Sequence, residues 1–289
     1  MEEKYLVPIR RRFWSSTVLL IGAALLFSAT TFPLLTEFGH FSLLGLLGAL
    51  VANSTGAGGG VVFIPAFNQL NLPPDAAVAT SFAIQCFGMT AGAAAWYRHA
   101  RNDAVGANQG VWGPLLPAVG YTLAGTLPGL IAGRALPAPS DLHALFSLFS
   151  VALGALILLL SFRALTAQPR QRLAAHHPAL LVALGAAGGV ITAWLSVGVG
   201  ELLVIFLILL RCHSATAVAA GVMVSAITVW FAMVLNLLQG APIHWSIVLF
   251  AGPAAVVGGV VARKLATVMS PLQLKRFFAC WILFVGLVG

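Results

Sequence analysis

Charge is what this chain has least of. Only 8% of its 289 residues are Asp, Glu, Lys or Arg, while 60% are apolar. An ordinary soluble domain is about 25% charged. A soluble core cannot absorb this much apolar surface, so the scarcity of charge excludes a soluble globular domain and points to an integral membrane protein. Acids are the scarcer sign, with 7 Asp and Glu against 15 Lys and Arg, a net charge of +8. That excess does not make a nucleic-acid binder, because the basic residues lie between apolar runs and form no basic face with interleaved aromatics. The three cysteines, Cys86, Cys212 and Cys280, have no C-x-x-C spacing and build no even disulfide framework. They read as buried thiols acting as small hydrophobes. G-x-S-x-G, H-E-x-x-H and any acidic cluster for a metal are missing too. A membrane-embedded enzyme therefore lacks the usual nucleophile–base or metal constellations, and no cofactor or metal is expected. The histidines lie at or between span ends. Their densest pair, His176-His177, reads as loop rather than metal site.

What is there is a series of apolar spans, each near the roughly 20 residues that a bilayer core requires. Thr17 to Leu35 follows a basic head containing Lys4 and Arg10-Arg11-Arg12. It is longer than a signal-peptide core and no small-x-small site follows before Glu37, so it is predicted as a leading transmembrane helix. Ala76 to Tyr97, Val111 to Gly133, Leu142 to Phe162, Ser214 to Leu238, Trp245 to Ala262 and Leu272 to Val288 read as further spans. Ser270 as N-cap with Pro271 at the first helical position marks the start of the last one.

Two other apolar segments are interrupted. The first breaks at Asn53-Ser54-Thr55-Gly56-Ala57-Gly58-Gly59-Gly60, the second at Ser196-Val197-Gly198-Val199-Gly200-Glu201. Broken helix at membrane depth is tolerated only where protein buries it or a wet cavity meets it. Two breaks in matching places of two halves point to a transporter's binding site. The helix resuming at Gly58 or Gly60 would present free N–H groups and a partial positive charge, and glycine lets an anion approach that backbone closely. Asn53, Ser54 and Thr55 would add side-chain donors beside it, and Ser196, Gly198 and Gly200 would do so from the second break. The pocket so formed is rich in neutral donors and suits an anion that must be bound and released. Glu201 is the only acid inside a membrane segment. An ionisable group there is a functional hypothesis by default, here a proton carrier that couples transport to a gradient. Its alternative role is to cap the helix resuming at Leu202.

The halves echo each other. Each has a glycine break, then a span opening with a similar phrase (Ala76-Ala77-Val78-Ala79-Thr80 and Ala217-Val218-Ala219-Ala220), then a glycine-rich span ending in arginine, Arg134 or Arg263. This predicts an N-terminal tail with the leading helix over 1–39, a first repeat over 40–163, a connector over 164–177 and a second repeat over 178–289. If each broken segment is a hairpin entering and returning on one side, nearly all basic loop residues fall on the cytoplasmic side and only Arg134 falls outside, with Glu37, Asp75 and Asp141. Each repeat then has three full crossings, and the odd number inverts the second. The expected fold is an all-α polytopic membrane protein: two inverted repeats, each a broken hairpin plus three spanning helices, and an N-terminal helix whose start is cytoplasmic. Hairpin arms of about 10–17 residues reach roughly 15–25 Å, so their tips would converge near the midplane, and the longer arms could nearly cross, which leaves nine or more helices open.

Other residues in the spans have more local readings. Gly88 to Gly92 and the series Gly125, Gly129, Gly133 are small-xxx-small spacings that allow close helix contact. Trp96-Tyr97, Trp112 and Trp245 read as interface anchors. Ser81, Gln85, Trp194 and Ser225 are candidates for the cavity wall; Trp230, Thr228 and Asn236 either join them or bond neighbouring helices.

Gly56-Ala57-Gly58-Gly59-Gly60 with Pro65, then Pro73 and Ala77-Val78-Ala79-Thr80-Ser81, closed by Tyr97-Arg98 and Asn102, resembles the TauE/SafE sulfite exporter family, also called the TSUP transporters. The resemblance extends over nearly the whole chain beyond about residue 40, with Gly198-Val199-Gly200 repeating the pattern more weakly. Glu201 departs from it, where the family often has a small residue. The resemblance implies secondary transport of a sulfur-containing anion, such as sulfite, sulfoacetate or another organosulfonate. It also implies the bacterial cytoplasmic membrane and a proton or ion gradient as driving force. The expected partners are the small anion and the lipid bilayer, with a homo-oligomer allowed. An anion channel or a membrane-embedded enzyme is the alternative.

Overall fold

The computed structural model describes residues 31–161, 171–269 and 271–288. The predicted leading helix lies outside the described residues up to position 30, as do Lys4, Arg10, Arg11, Arg12, Arg163, Arg170 and Ser270. Among the described residues the chain is helical, without strands. In order the helices are α1 Thr31–Phe38, α2 Phe41–Thr55, α3 Gly60–Gln69, α4 Pro74–Asp103, α5 Leu115–Ala135, α6 Leu142–Ser161, α7 His177–Leu195, α8 Val199–Leu209, α9 Ser214–Leu238, α10 Trp245–Val268 and α11 Pro271–Val288, with a 3-10 turn at Gly106–Trp112 between α4 and α5.

Six described stretches are long and apolar enough to cross a bilayer: Pro74–Asp103, Asn108–Ala135, Leu142–Leu159, His177–Leu195, Ser214–Leu238 and Trp245–Val268. Five of these were predicted as full spans. His177–Leu195, predicted as a hairpin arm, is itself of spanning length. The α-helix expected from Val111 starts instead at Leu115. Pro114 cannot donate a backbone hydrogen bond, and the residues before it wind into a 3-10 turn, a tighter geometry used in short pieces. α4 runs past Tyr97 to Asp103, whose carboxylate accepts hydrogen bonds from Trp112 Nε1 (2.9 Å) and Asn108 Nδ2 (3.3 Å).

Two backbone features recur along the chain. Left-handed residues fall at Gly56 (φ 83°) and Ser196 (φ 58°), and again at Asn71 (φ 56°) and Arg211 (φ 61°), so both features recur at the same offset. The second pair closes α3 and α8 with the same bond, Leu72 N–H to Phe67 O (3.1 Å) and Cys212 N–H to Leu207 O (2.9 Å). Packing is reciprocal as well. α2 lies against α10 and α5 against α7, α4 meets α9, and α6 meets α11. The first helix of each half is thus covered by the fourth of the other. Glycine makes these contacts possible: a Cβ on Gly125, Gly129 or Gly133 would strike α7 at Val182, Ala186 or Val190, and one on Gly45 or Gly258 would strike the α2–α10 contact.

The tryptophans divide differently from the expectation. Trp245 is exposed, but Trp96 and Trp112 are buried. Trp96 Nε1 donates to the Asn53 carbonyl (2.8 Å), an unpaired acceptor near the C-terminus of α2. That hydrogen bond, rather than a lipid headgroup, explains its place. Trp230 faces outward and donates to Thr90 Oγ1 (2.8 Å).

Candidate functional site

The site is built where the two breaks meet. α2 ends on Gly56 in the left-handed conformation, and the chain turns through Ala57, Gly58 and Gly59 before α3 begins at Gly60. α7 ends on Ser196, also left-handed, and Gly198 at φ 138° sets the start of α8. Only glycine adopts that last conformation readily. The tips press together closely enough to require glycine for space as well. A Cβ on Gly60 would come within 2.5 Å of Ser196 O, and one on Gly200 or Gly221 within 2.6 Å of Gly56 O. Gly59 is walled in by Phe63 and Gln85. Gly58 is different: the nearest atoms to a Cβ there, Gln85 Oε1 and Ser196 O, lie at 3.4 Å.

Two side chains tie the breaks to each other. Glu201, in the first turn of α8, is fully buried. Its Oε2 accepts from Gly198 N–H (2.8 Å), and its Oε1 reaches across to accept from Gly58 N–H (2.8 Å). Gln85, on α4, accepts from Gly59 N–H at Oε1 (2.7 Å) and donates from Nε2 to Ser196 Oγ (2.8 Å) and Ser81 Oγ (3.0 Å). Ser196 and Ser81 also bond each other (3.0 Å). The amides expected to be free are therefore occupied, Gly58 by a carboxylate and Gly59 by a carboxamide. The capping role foreseen for Glu201 is present, joined to a second bond that the sequence does not announce.

Beside these groups is a small, partly open pocket lined by Gly58, Gln85, Ser196, Gly198, Glu201 and Ser225, together with Thr192 and with Thr228, whose hydroxyl bonds the Val224 carbonyl (2.8 Å). Among the described residues no lysine or arginine lines it. Gly58, just before α3, and Gly198 to Glu201, at the start of α8, all border it.

Several sequence candidates stand apart. Asn53 donates to Ala49 O (2.8 Å) and Gly88 O (3.3 Å), Ser54 to Val51 O (3.0 Å), and Thr55 to Val51 O (2.7 Å). Their donors fold back on helix carbonyls rather than into the cavity. Trp194 Nε1 donates to Gly133 O (2.7 Å) and stitches α7 to α5. Ser81 stands behind Gln85, which it positions. Thr192 was not singled out in the sequence. Its place one turn before Ser196 is the only available signal, and its Oγ1 accepts from Val199 N–H (3.1 Å) at the start of α8. Among the described residues no cluster of His, Cys, Asp and Glu is arranged to hold a metal ion.

Residues 41–288 match the family model described as Sulfite exporter TauE/SafE. No curated protein and no solved structure gives a significant match.

Proposed function

Given that the chain belongs to the TauE/SafE sulfite exporter family, we propose that it is a secondary active transporter of a small sulfur-containing oxyanion, of the sulfite or organosulfonate class, with the substrate held between the two breaks. One observation carries this reading. Gly58 and Gly198, at the starts of two helices from opposite halves, already hold an oxyanion between them, the Glu201 carboxylate. Amide donors at helix N-termini bind tetrahedral oxyanions for the same reason. Gln85, Ser196 and Ser225 are neutral polar residues around them, and Thr192 and Thr228 border the same pocket. Without a fixed cation, binding stays moderate and release stays feasible.

The reciprocal packing of the halves and the recurrence of the same turns support an inverted-repeat carrier, whose halves rock around a fixed site. In that topology Arg98, Arg101, Arg172, Arg211, Arg263 and Lys264 face the cytoplasm, in keeping with the positive-inside rule. The protein then belongs in the cytoplasmic membrane, with its N-terminus inside and Glu201 carrying the coupling proton.

Binding by the purified protein tests this. A panel of sulfite, thiosulfate, sulfoacetate, methanesulfonate and simple carboxylates should give saturable binding to the sulfur oxyanions. Response to carboxylates alone would overturn the sulfur reading.

A further inference from the structure

We infer that the Glu201 carboxylate is a tethered competitor of the transported anion, so that anion and proton bind together and travel in the same direction. The inference rests on the breaks being the anion site and adds the sign of the coupling.

Both carboxylate oxygens are in use, one on Gly58 N–H and one on Gly198 N–H, each at 2.8 Å. An incoming oxyanion that takes either amide must displace a carboxylate oxygen. It must also share a buried cavity with a second negative charge, and no lysine or arginine is there to offset the pair. A proton on Glu201 removes both obstacles. The hydroxyl oxygen no longer serves as acceptor for its amide, so one N–H is freed, and the charge is gone.

Among the described residues no other titratable group stands close enough to take this part. Helices α2, α3 and α9 contain none, and neither does the turn between α2 and α3. On α7 the sole one is His177, at the opposite end of the helix from Ser196. On α4, Asp75, Tyr97, Arg98, His99, Arg101 and Asp103 lie towards the two ends. Cys86 is nearer, but its Sγ is directed at Val229 O (3.7 Å). The two halves are unequal here. At the offset that relates Gly58 to Gly198, the counterpart of Glu201 is Val61. One acid therefore serves both amides, which sets the stoichiometry at one proton per anion.

Linkage makes the consequence reciprocal. If a proton on Glu201 raises anion affinity, the bound anion raises proton affinity by the same factor. A loaded carrier then moves both together, and an inward proton gradient drives uptake. Exchange of an outgoing anion for an incoming proton would need the opposite sign.

The test uses the full-length purified protein with sulfoacetate and methanesulfonate, whose sulfonate groups stay ionised throughout. Calorimetry at alkaline pH, in buffers of differing ionisation heat, reads the protons exchanged on binding. The wild type should take up close to one proton per anion, and its Kd should rise about tenfold per pH unit in that range. In Glu201→Gln the affinity should be independent of pH, with no proton taken up, and tighter than wild type at alkaline pH. Binding by the wild type with no proton taken up, or with protons released, overturns the inference, and that measurement requires no variant. A Gln variant that keeps the wild-type pH dependence overturns it too. Absence of sulfonate binding in both proteins instead refutes the site on which the inference stands.

Discussion

Replacing Gln85 by leucine should loosen both breaks at once, although the residue belongs to neither. Gln85 is 2% exposed, and its carboxamide joins Gly59 N–H of the first break to Ser196 of the second. Leucine is similar in size and helix preference but leaves the Gly59 amide without a partner in a buried place. An orphaned buried donor costs about 1–3 kcal/mol. The bonds from Nε2 to Ser196 and Ser81 are also lost, at about 0.5–1.5 kcal/mol each, partly offset because the two hydroxyls still bond each other. The link between the breaks should weaken by about 2–4 kcal/mol in total. Hydrogen exchange in detergent, followed by mass spectrometry, reads this directly. Peptides covering Gly56 to Gly60 and Leu195 to Gly198 should both exchange faster in Gln85→Leu, with a lowered melting temperature. Acceleration confined to the first break, or in neither, would refute the bridging role.

The remaining expectations concern the site, its coupling and the topology. Gly58→Leu should abolish sulfonate binding while the protein stays monodisperse, since a Cβ there meets nothing closer than 3.4 Å but the added bulk blocks close approach of an anion to the backbone. Gly59→Leu should lose binding and also stability, because it collides with Phe63 and Gln85; unchanged affinity in both would remove the first break from the site. Thr55→Val should weaken binding little and cost stability of about 0.5–1.5 kcal/mol, as its hydroxyl bonds the Val51 carbonyl instead of facing the cavity; a tenfold loss of affinity would contradict that placement. Trp96→Phe should lower stability by about 1 kcal/mol through the lost bond to Asn53 O, read from thermal unfolding, and leave affinity for anions intact. In liposomes, Glu201→Gln should lose the response of flux to an imposed pH gradient, whereas retained pH-driven uptake would leave Glu201 a structural residue. On a cysteine-free background, a cysteine at Asp75 should react with an impermeant thiol reagent from outside and one at Arg172 only from the cytoplasm; the reverse pattern would defeat the inverted topology.

Most of the helical layout was legible because hydropathy dominates in a membrane protein. Ser214–Leu238 is the predicted span to the residue, and Leu142–Ser161 ends where expected within one position. The breaks were legible because each needs glycine at one point, Gly198 for its backbone angle and Gly60 for its space. Glu201 stood out by being an acid where acids are costly. The pairing across the breaks was not legible. Gly58 and Glu201 are far apart in sequence, and their contact depends on how two half-helices meet. Asn53, Ser54 and Thr55 misled for a related reason: a short polar side chain near a helix end bonds the preceding turn as readily as a ligand, and sequence cannot say which acceptor is nearer. Trp96 was misplaced because tryptophans near span ends usually meet headgroups, and only the fold shows an unpaired α2 carbonyl within its reach.

Counterflow of labelled sulfoacetate in proteoliposomes, with the wild type and Gly58→Leu compared at equal reconstitution, tests the site between the breaks most directly. Exchange in this format needs binding and alternating access but no proton or other ion gradient. The wild type should accumulate label transiently against unlabelled internal substrate, and Gly58→Leu should show none while its melting temperature stays close to that of the wild type. Equal counterflow in the two proteins would place the transported anion somewhere other than the amides of the two breaks.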